Sequence, residues 1–227
     1  MNRVIIARYI IREAMGSAVA GVALLWPAGR LDWWPAWALV AVLLAWSTAT
    51  GIVILRTNPA LLAERLGPRK GAKPWDSAIM GVVGLATLAR LVIAGFDQRY
   101  GWTGSFPALA QLAALAAIVL GYAMVVWATA SNAYFSLIVR LQPEREHTVA
   151  TGGPYRFVRH PAYAGTLLAE LTFPVLLASW PAFIPSALNA ILFVLRTALE
   201  DRTLRHELPG YSEYARQVHY RLLPGIW

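Results

Sequence analysis

GGPYRFVRHPAYAG, residues 152–165, lies between two long apolar stretches and yet carries Arg156, Arg159 and His160 beside two prolines and two tyrosines. Gly152, Gly153 and Pro154 set a turn that a backbone with φ > 0 can use, and Pro161 suits the first turn of a following helix. The loop is therefore stiff, and the free N–H groups where that helix starts suit an anion or the polar head of a ligand. What such a loop does depends on whether its flanks are soluble or span a membrane.

The flanks are apolar. The chain has 227 residues, 58% of them hydrophobic and 14% charged, where a soluble domain carries about 25% charged residues; mean hydropathy is +0.50. Apolar runs at 14–28, 34–55, 77–96, 106–130, 163–178 and 180–198 are long enough, or nearly so, to cross a bilayer as helices. The first and fifth are short. Ser179-Trp180-Pro181 separates the last two and predicts a tight helical hairpin. The fold expected is an all-α integral membrane protein of about six transmembrane helices, ending in that hairpin. A single domain over 1–227 is expected, with the N-terminal transmembrane helices in 1–135 and the polar loop, hairpin and tail in 136–227.

Charge distribution sets orientation. The N-terminus holds Arg3, Arg8 and Arg12, the 56–75 connection holds Arg56, Arg65, Arg69, Lys70 and Lys73, and 140–160 and the C-terminal tail are also basic. Alternate connections hold Arg30 and Arg99. By the positive-inside rule both termini and the basic loops face the cytoplasm. The formal charge of +8 thus reflects topology, and no nucleic-acid partner is expected. The chain has no Cys, which excludes disulfides, thiolate catalysis and Cys-ligated metal, and no metal is expected. The N-terminal stretch lacks a clean signal-peptide pattern and is expected to be retained. Arg90 and Glu170 interrupt apolar runs; an ion within a membrane is a functional hypothesis by default, and a structural ion pair is the alternative.

Polar groups cluster at both cytoplasmic ends of the predicted hairpin, where a pocket would open to water on one side and to lipid on the other. Arg196 and Glu200 are spaced i, i+4 and share a face of the last apolar helix. Alone, such a pair is usually an exposed ion pair. Beside a buried hairpin it can instead serve a cationic ligand and an anionic one. Arg156 and Arg159 also fit anchoring to lipid phosphates, and His160 fits a loop hydrogen bond.

The segments HTVATGGPYRFVRHPAYAG, RTALED and YSEYARQVHYRLLPGIW together resemble the isoprenylcysteine carboxyl methyltransferase family of integral membrane enzymes, and more distantly the phospholipid N-methyltransferases. NPALLAERLGPRKGAKPWD resembles the corresponding connection of bacterial members, so the resemblance runs from about residue 50. It implies S-adenosyl-L-methionine as methyl donor, bound at the cytoplasmic side. The implied cofactor contacts are His147, Thr148, Val149 and Ala150, where Ala150 departs from the family's usual Val, then Tyr155, Arg159 and the element His160, Pro161, Ala162 and Tyr163, with Glu200 facing the cofactor. A further contact falls on Arg140, or on Gln142 after a two-residue shift. Arg196 is the implied substrate-facing residue, and Arg196 and Glu200 together the implied catalytic pair.

The acceptor implied is a lipophilic small molecule or prenylated substrate that reaches the site from membrane lipid, in the cytoplasmic membrane of a prokaryote. Arg196 favours O-methylation of a carboxylate, which is already ionised at neutral pH and requires no general base. Methylation of a phospholipid amine is the alternative, and a sterol-reductase-like membrane enzyme is a third reading.

Overall fold

The computed structural model describes residues 3–66, 71–104 and 106–227. Arg69 and Lys70, both counted in the charge argument, lie outside the described residues. Among the described residues eight α-helices follow in order: α1 (Arg3–Ala28), α2 (Trp34–Thr57), α3 (Ala60–Leu66), α4 (Pro74–Tyr100), α5 (Ala108–Ala130), α6 (Pro161–Leu176), α7 (Phe183–Glu207) and α8 (Tyr211–Gln217). The protein is an all-α membrane protein, and among the described residues α1, α2, α4, α5 and α7 are long and apolar enough to span a bilayer.

Helix α6 has 16 residues, about 24 Å at 1.5 Å per residue, short of the roughly 30 Å hydrocarbon core. It is the fifth apolar run, and it turns back into α7 as the expected hairpin. At the hairpin tip Ala178 takes φ +53°, and the amide of Ser179 donates to the Pro174 carbonyl at 2.9 Å. This is the 6→1 bond of a Schellman-type stop.

Local sequence sets the boundaries. Pro35, Pro74 and Pro161 stand in the first turns of α2, α4 and α6, where a missing N–H costs nothing. Gly101, in the left-handed region, ends α4. The apolar runs miss the true ends of two helices: α1 begins at Arg3 and α7 runs to Glu207, because hydropathy stops at the first charges while the backbone hydrogen bonds continue into the interface.

The long helices pack pairwise in the cycle α1, α2, α5, α6, α7, α4 and back to α1. The tightest approach is α5 against α6. A Cβ built on Gly165 would lie 2.3 Å from the Gly121 carbonyl oxygen, so only paired glycines permit that spacing, as at small-residue interfaces in membranes generally. The half of the ring nearest the hairpin tip is filled by Leu24, Leu39, Ala94, Ile118, Phe173 and Leu176. Arg90 of α4 and Glu170 of α6 form a buried ion pair, with Arg90 4.1 Å from the Phe173 ring and Asn189 of α7 donating to Glu170 at 3.0 Å. These two charges thus join three helices. Trp26, 82% exposed, and Trp180 at the tip are exposed near helix ends, as in interfacial aromatic belts.

Candidate functional site

Toward the opposite end the ring opens into a cavity of about 940 Å3. Its wall combines the 131–160 connection with α6, α7 and α8, and also takes residues from α1, α2 and α4. The site therefore draws on both sides of the 135/136 division expected from sequence.

The connection is held from several sides. Gly153, at φ +57°, starts a short 3-10 turn over Gly153–Arg156; a Cβ there would meet the Ser131 hydroxyl at 2.1 Å. The amides of Arg159 and His160 donate to the carbonyls of Tyr220 and Arg221, both at 2.9 Å, so the C-terminal tail straps the loop. Below it Asp201, 0% exposed, accepts from Arg159 Nε at 2.7 Å, Arg221 Nε at 3.0 Å, Arg205 Nε at 3.1 Å and the Tyr211 hydroxyl at 3.0 Å. One buried carboxylate thus joins loop, α7, α8 and tail.

His160 packs parallel to Tyr163 at 5.8 Å. The Tyr163 hydroxyl donates to Glu200 across the hairpin, and the Arg196 guanidinium lies 5.2 Å from the Tyr163 ring. The i, i+4 residues Arg196 and Glu200 therefore meet through Tyr163 and form no direct salt bridge with each other. Arg196 Nε donates to Asp76 at 2.7 Å and Nη2 to the Leu137 carbonyl at 3.1 Å. Its remaining nitrogen, Nη1, makes no hydrogen bond to the described residues, and Arg196 lines the cavity. The second oxygen of Asp76 accepts from the Val139 amide at 2.8 Å, which fixes the connection to α4.

The other expected contacts divide. His147, Thr148, Val149, Ala150, Tyr155, Arg159, Ala162 and Arg140 line the cavity. Arg159 uses its donors on Asp201 and on the carbonyls of Val218 and His219, and Arg140 pairs with Glu64 and Glu144; both act in the scaffold. Gln142 is fully enclosed between the Tyr134 carbonyl and Arg145 and is absent from the wall. Pro161 is the first residue of α6 and is likewise absent from the wall.

His147 stacks on Tyr134 at 4.4 Å, and burial, with Arg145 and Arg140 nearby, holds its pKa below the usual imidazole value. Burial pushes the Tyr155 hydroxyl up, and burial together with Asp201 does the same at Tyr211. All three are neutral at pH 7.

Asp76, Asp201, Tyr134 and Tyr211 were not singled out from sequence. Asp76, Asp201 and Tyr211 fall within PWD, RTALED and YSEYARQ, stretches that carry the family resemblance, which was the available signal.

Residues 113–206 match the model of the isoprenylcysteine carboxyl methyltransferase family. That stretch is somewhat less than half of the chain. The match takes in α6 and nearly all of α7, including Tyr163, Arg196 and Glu200. Proteins similar to this chain include the uncharacterized protein YpbQ of Bacillus subtilis (strain 168), 25% identical over 174 residues, covering 74% of this chain and 96% of that protein. A "Probable protein-S-isoprenylcysteine O-methyltransferase" of Oryza sativa subsp. japonica is 33% identical over 92 residues, 37% of this chain and 46% of the relative. The cobalt-zinc-cadmium resistance protein CzcN of Cupriavidus metallidurans is 33% identical over 104 residues, covering 44% of this chain and 46% of that protein. The alignments thus span under half of the rice and Cupriavidus relatives and nearly all of the Bacillus one.

Proposed function

We propose that this membrane protein transfers a methyl group from S-adenosylmethionine to the carboxylate of a lipophilic acceptor, of the isoprenylcysteine type, at its cytoplasmic face. The observation that carries the reading is Arg196, held by Asp76 and the Leu137 carbonyl with one edge that makes no hydrogen bond to the described residues, in the same cavity as the Tyr163–Glu200 pair.

The residues fit the cofactor's parts. The backbone amides of Thr148, Val149 and Ala150 make no hydrogen bond to the described residues, and these residues line the cavity, so an extended edge remains for a heterocycle or an amino-acid head. Tyr163, Tyr155 and His147 supply ring faces, and Glu200 supplies a carboxylate with one oxygen on Tyr163 and one that no donor among the described residues reaches. When bound, S-adenosylmethionine supplies an electrophilic methyl on a positively charged sulfur. Glu200 offsets that charge, and an aromatic face beside it contributes on the order of 0.5–2 kcal/mol.

Arg196 orients the acceptor. Its planar guanidinium, locked on two sides, presents the remaining N–H group to a carboxylate oxygen and limits the rotation of that carboxylate. The acceptor is an anion at neutral pH, so no residue need remove a proton. The acceptor's tail is buried among apolar side chains such as Leu39, Leu43 and Val83, which line the deeper cavity. Burial is worth about 0.8 kcal/mol per CH2, which explains the placement of the site in a membrane protein.

Steady-state kinetics of Arg196→Ala test this assignment. The variant should retain S-adenosylmethionine affinity and lose about one to two decades in kcat/KM toward a lipid acid, the cost of one charge-assisted hydrogen bond. Equal loss of cofactor affinity would remove Arg196 from the acceptor side.

A further inference from the structure

Across the ring from Arg196, where α1 and α3 close the cavity, stands a cation that the methyl-transfer scheme does not use. Arg65 lies in the last turn of α3 and lines the cavity beside Tyr9, Arg12, Glu13 and Phe135. Its guanidinium sits 5.4 Å from the Phe135 ring, and Nε is enclosed without a hydrogen-bond partner. None of its side-chain nitrogens makes a hydrogen bond to the described residues. All 12 Asp and Glu residues of the chain are described, and none forms an ion pair with Arg65. Glu13, which lines the same cavity, is engaged by Arg12, whose Nε donates to it at 3.0 Å and whose Nη1 donates to the Arg65 carbonyl at 2.7 Å.

A partly buried cation without a counter-ion is costly, because the low-dielectric surroundings disfavour its charge. Burial has pushed the Arg65 pKa down to about 10, which still leaves it charged at pH 7. A guanidinium with unused N–H groups on a cavity wall suits the two-oxygen geometry of a carboxylate or phosphate.

We propose that Arg65 is an anion-binding residue of the cavity, taking a carboxylate or phosphate group of a bound ligand. The inference rests on the cavity and its charges. Only the assignment of that anion to the cofactor's carboxylate depends on the proposed function; the other source is the head group of an anionic lipid.

Affinities measured on the purified protein in phosphatidylcholine nanodiscs separate the sources. The probes are S-adenosylmethionine, decarboxylated S-adenosylmethionine, which keeps the sulfonium and nucleoside but lacks the carboxylate, and farnesyl phosphate. Arg65→Gln should weaken one anionic probe about ten- to hundred-fold, leave the decarboxylated cofactor within twofold, and not lower Tm, since it removes an uncompensated charge. Arg65→Lys should recover part of the affinity. A loss confined to S-adenosylmethionine identifies the cofactor's carboxylate; a loss confined to farnesyl phosphate identifies a lipid head group. If the wild type binds farnesyl phosphate through Arg65 but no S-adenosylmethionine, the methyltransferase reading fails while the anion site stands. Unchanged affinity for both anionic probes in Arg65→Gln, or a wild type that binds neither, overturns the proposal. So does a variant that no longer folds, because Arg65 would then be a structural cation.

Discussion

Replacing Asp76 by Ala tests the most consequential contact that connects the two parts of the chain. Its side chain is 0% exposed and accepts two hydrogen bonds, one from Arg196 Nε at 2.7 Å and one from the Val139 amide at 2.8 Å. Alanine removes both acceptors and leaves Arg196, 5% exposed, without its counter-ion. Breaking a buried pair from one side costs about 3–5 kcal/mol, because the remaining charge stays desolvated. At roughly 2–4 °C per kcal/mol for a chain of this size, thermal unfolding in detergent should fall by about 6–20 °C. Asn at position 76 should fall part of the way: its carbonyl serves one donor while its NH2 confronts the other. Adding Arg196→Met to Asp76→Ala should recover stability without recovering methyl transfer, since the uncompensated charge is gone. A Tm for Asp76→Ala within 2 °C of wild type would refute the argument that this pair ties α4, α7 and the connection together.

Three further perturbations have definite outcomes. Gly165→Ala should lower stability by about 1–3 kcal/mol through overpacking, since its Cβ would meet the Gly121 carbonyl, whereas Gly84→Ala, with nothing within 4 Å, should not; equal Tm values for the two would contradict the close α5–α6 crossing. Glu200→Gln should weaken S-adenosylmethionine binding by calorimetry with little change in Tm, and an unchanged Kd would remove Glu200 from the cofactor site. His147 has a folded-state pKa depressed below its ordinary value near 6.5, so the unfolded chain binds its proton first as pH falls. Its contribution to stability is therefore full above about pH 6.5 and declines below it, toward the folded-state pKa. His147→Phe, which keeps the ring stacked on Tyr134, should show a smaller fall in Tm between pH 7.5 and 5 than wild type; parallel curves would exclude His147 as a source of that dependence.

The fold was legible because a bilayer leaves few solutions. Six apolar runs with basic residues at alternate ends read as six rods, and Ser179-Trp180-Pro181 marked the hairpin. The short helices were not legible: α3 and α8 have 7 residues each, too few for a periodic signal, and take their stability from packing. At the site, the His160–Tyr163 element and Glu200 do come together, but Arg196 and Glu200 share a face without bonding. The i, i+4 rule speaks only of a helix alone, and here Asp76, 120 residues away, and Tyr163, 37 away, supply the partners. Such long-range partners leave no pattern in one sequence. Gln142 illustrates the converse, since motif position placed it at the site while hydrogen bonds to Tyr134 and Arg145 enclose it behind the cavity wall. Arg90 and Glu170, two isolated charges in the sequence, are partners in the fold because α4 and α6 both pack on α7 and bring them level.

The central claim is methyl transfer to a lipid carboxylate, and its most direct test is the chemical bond formed. The purified protein in nanodiscs is incubated with methyl-labelled S-adenosylmethionine and two acceptors sharing one farnesyl tail, one ending in a carboxylate and the other in a primary amine. The account predicts label on the acid alone, as a methyl ester that mild alkali hydrolyses to labelled methanol, with transfer slowed about ten- to hundred-fold in Arg196→Ala. Alkali-stable label on the amine, or no label on either acceptor while S-adenosylmethionine is bound, would contradict it.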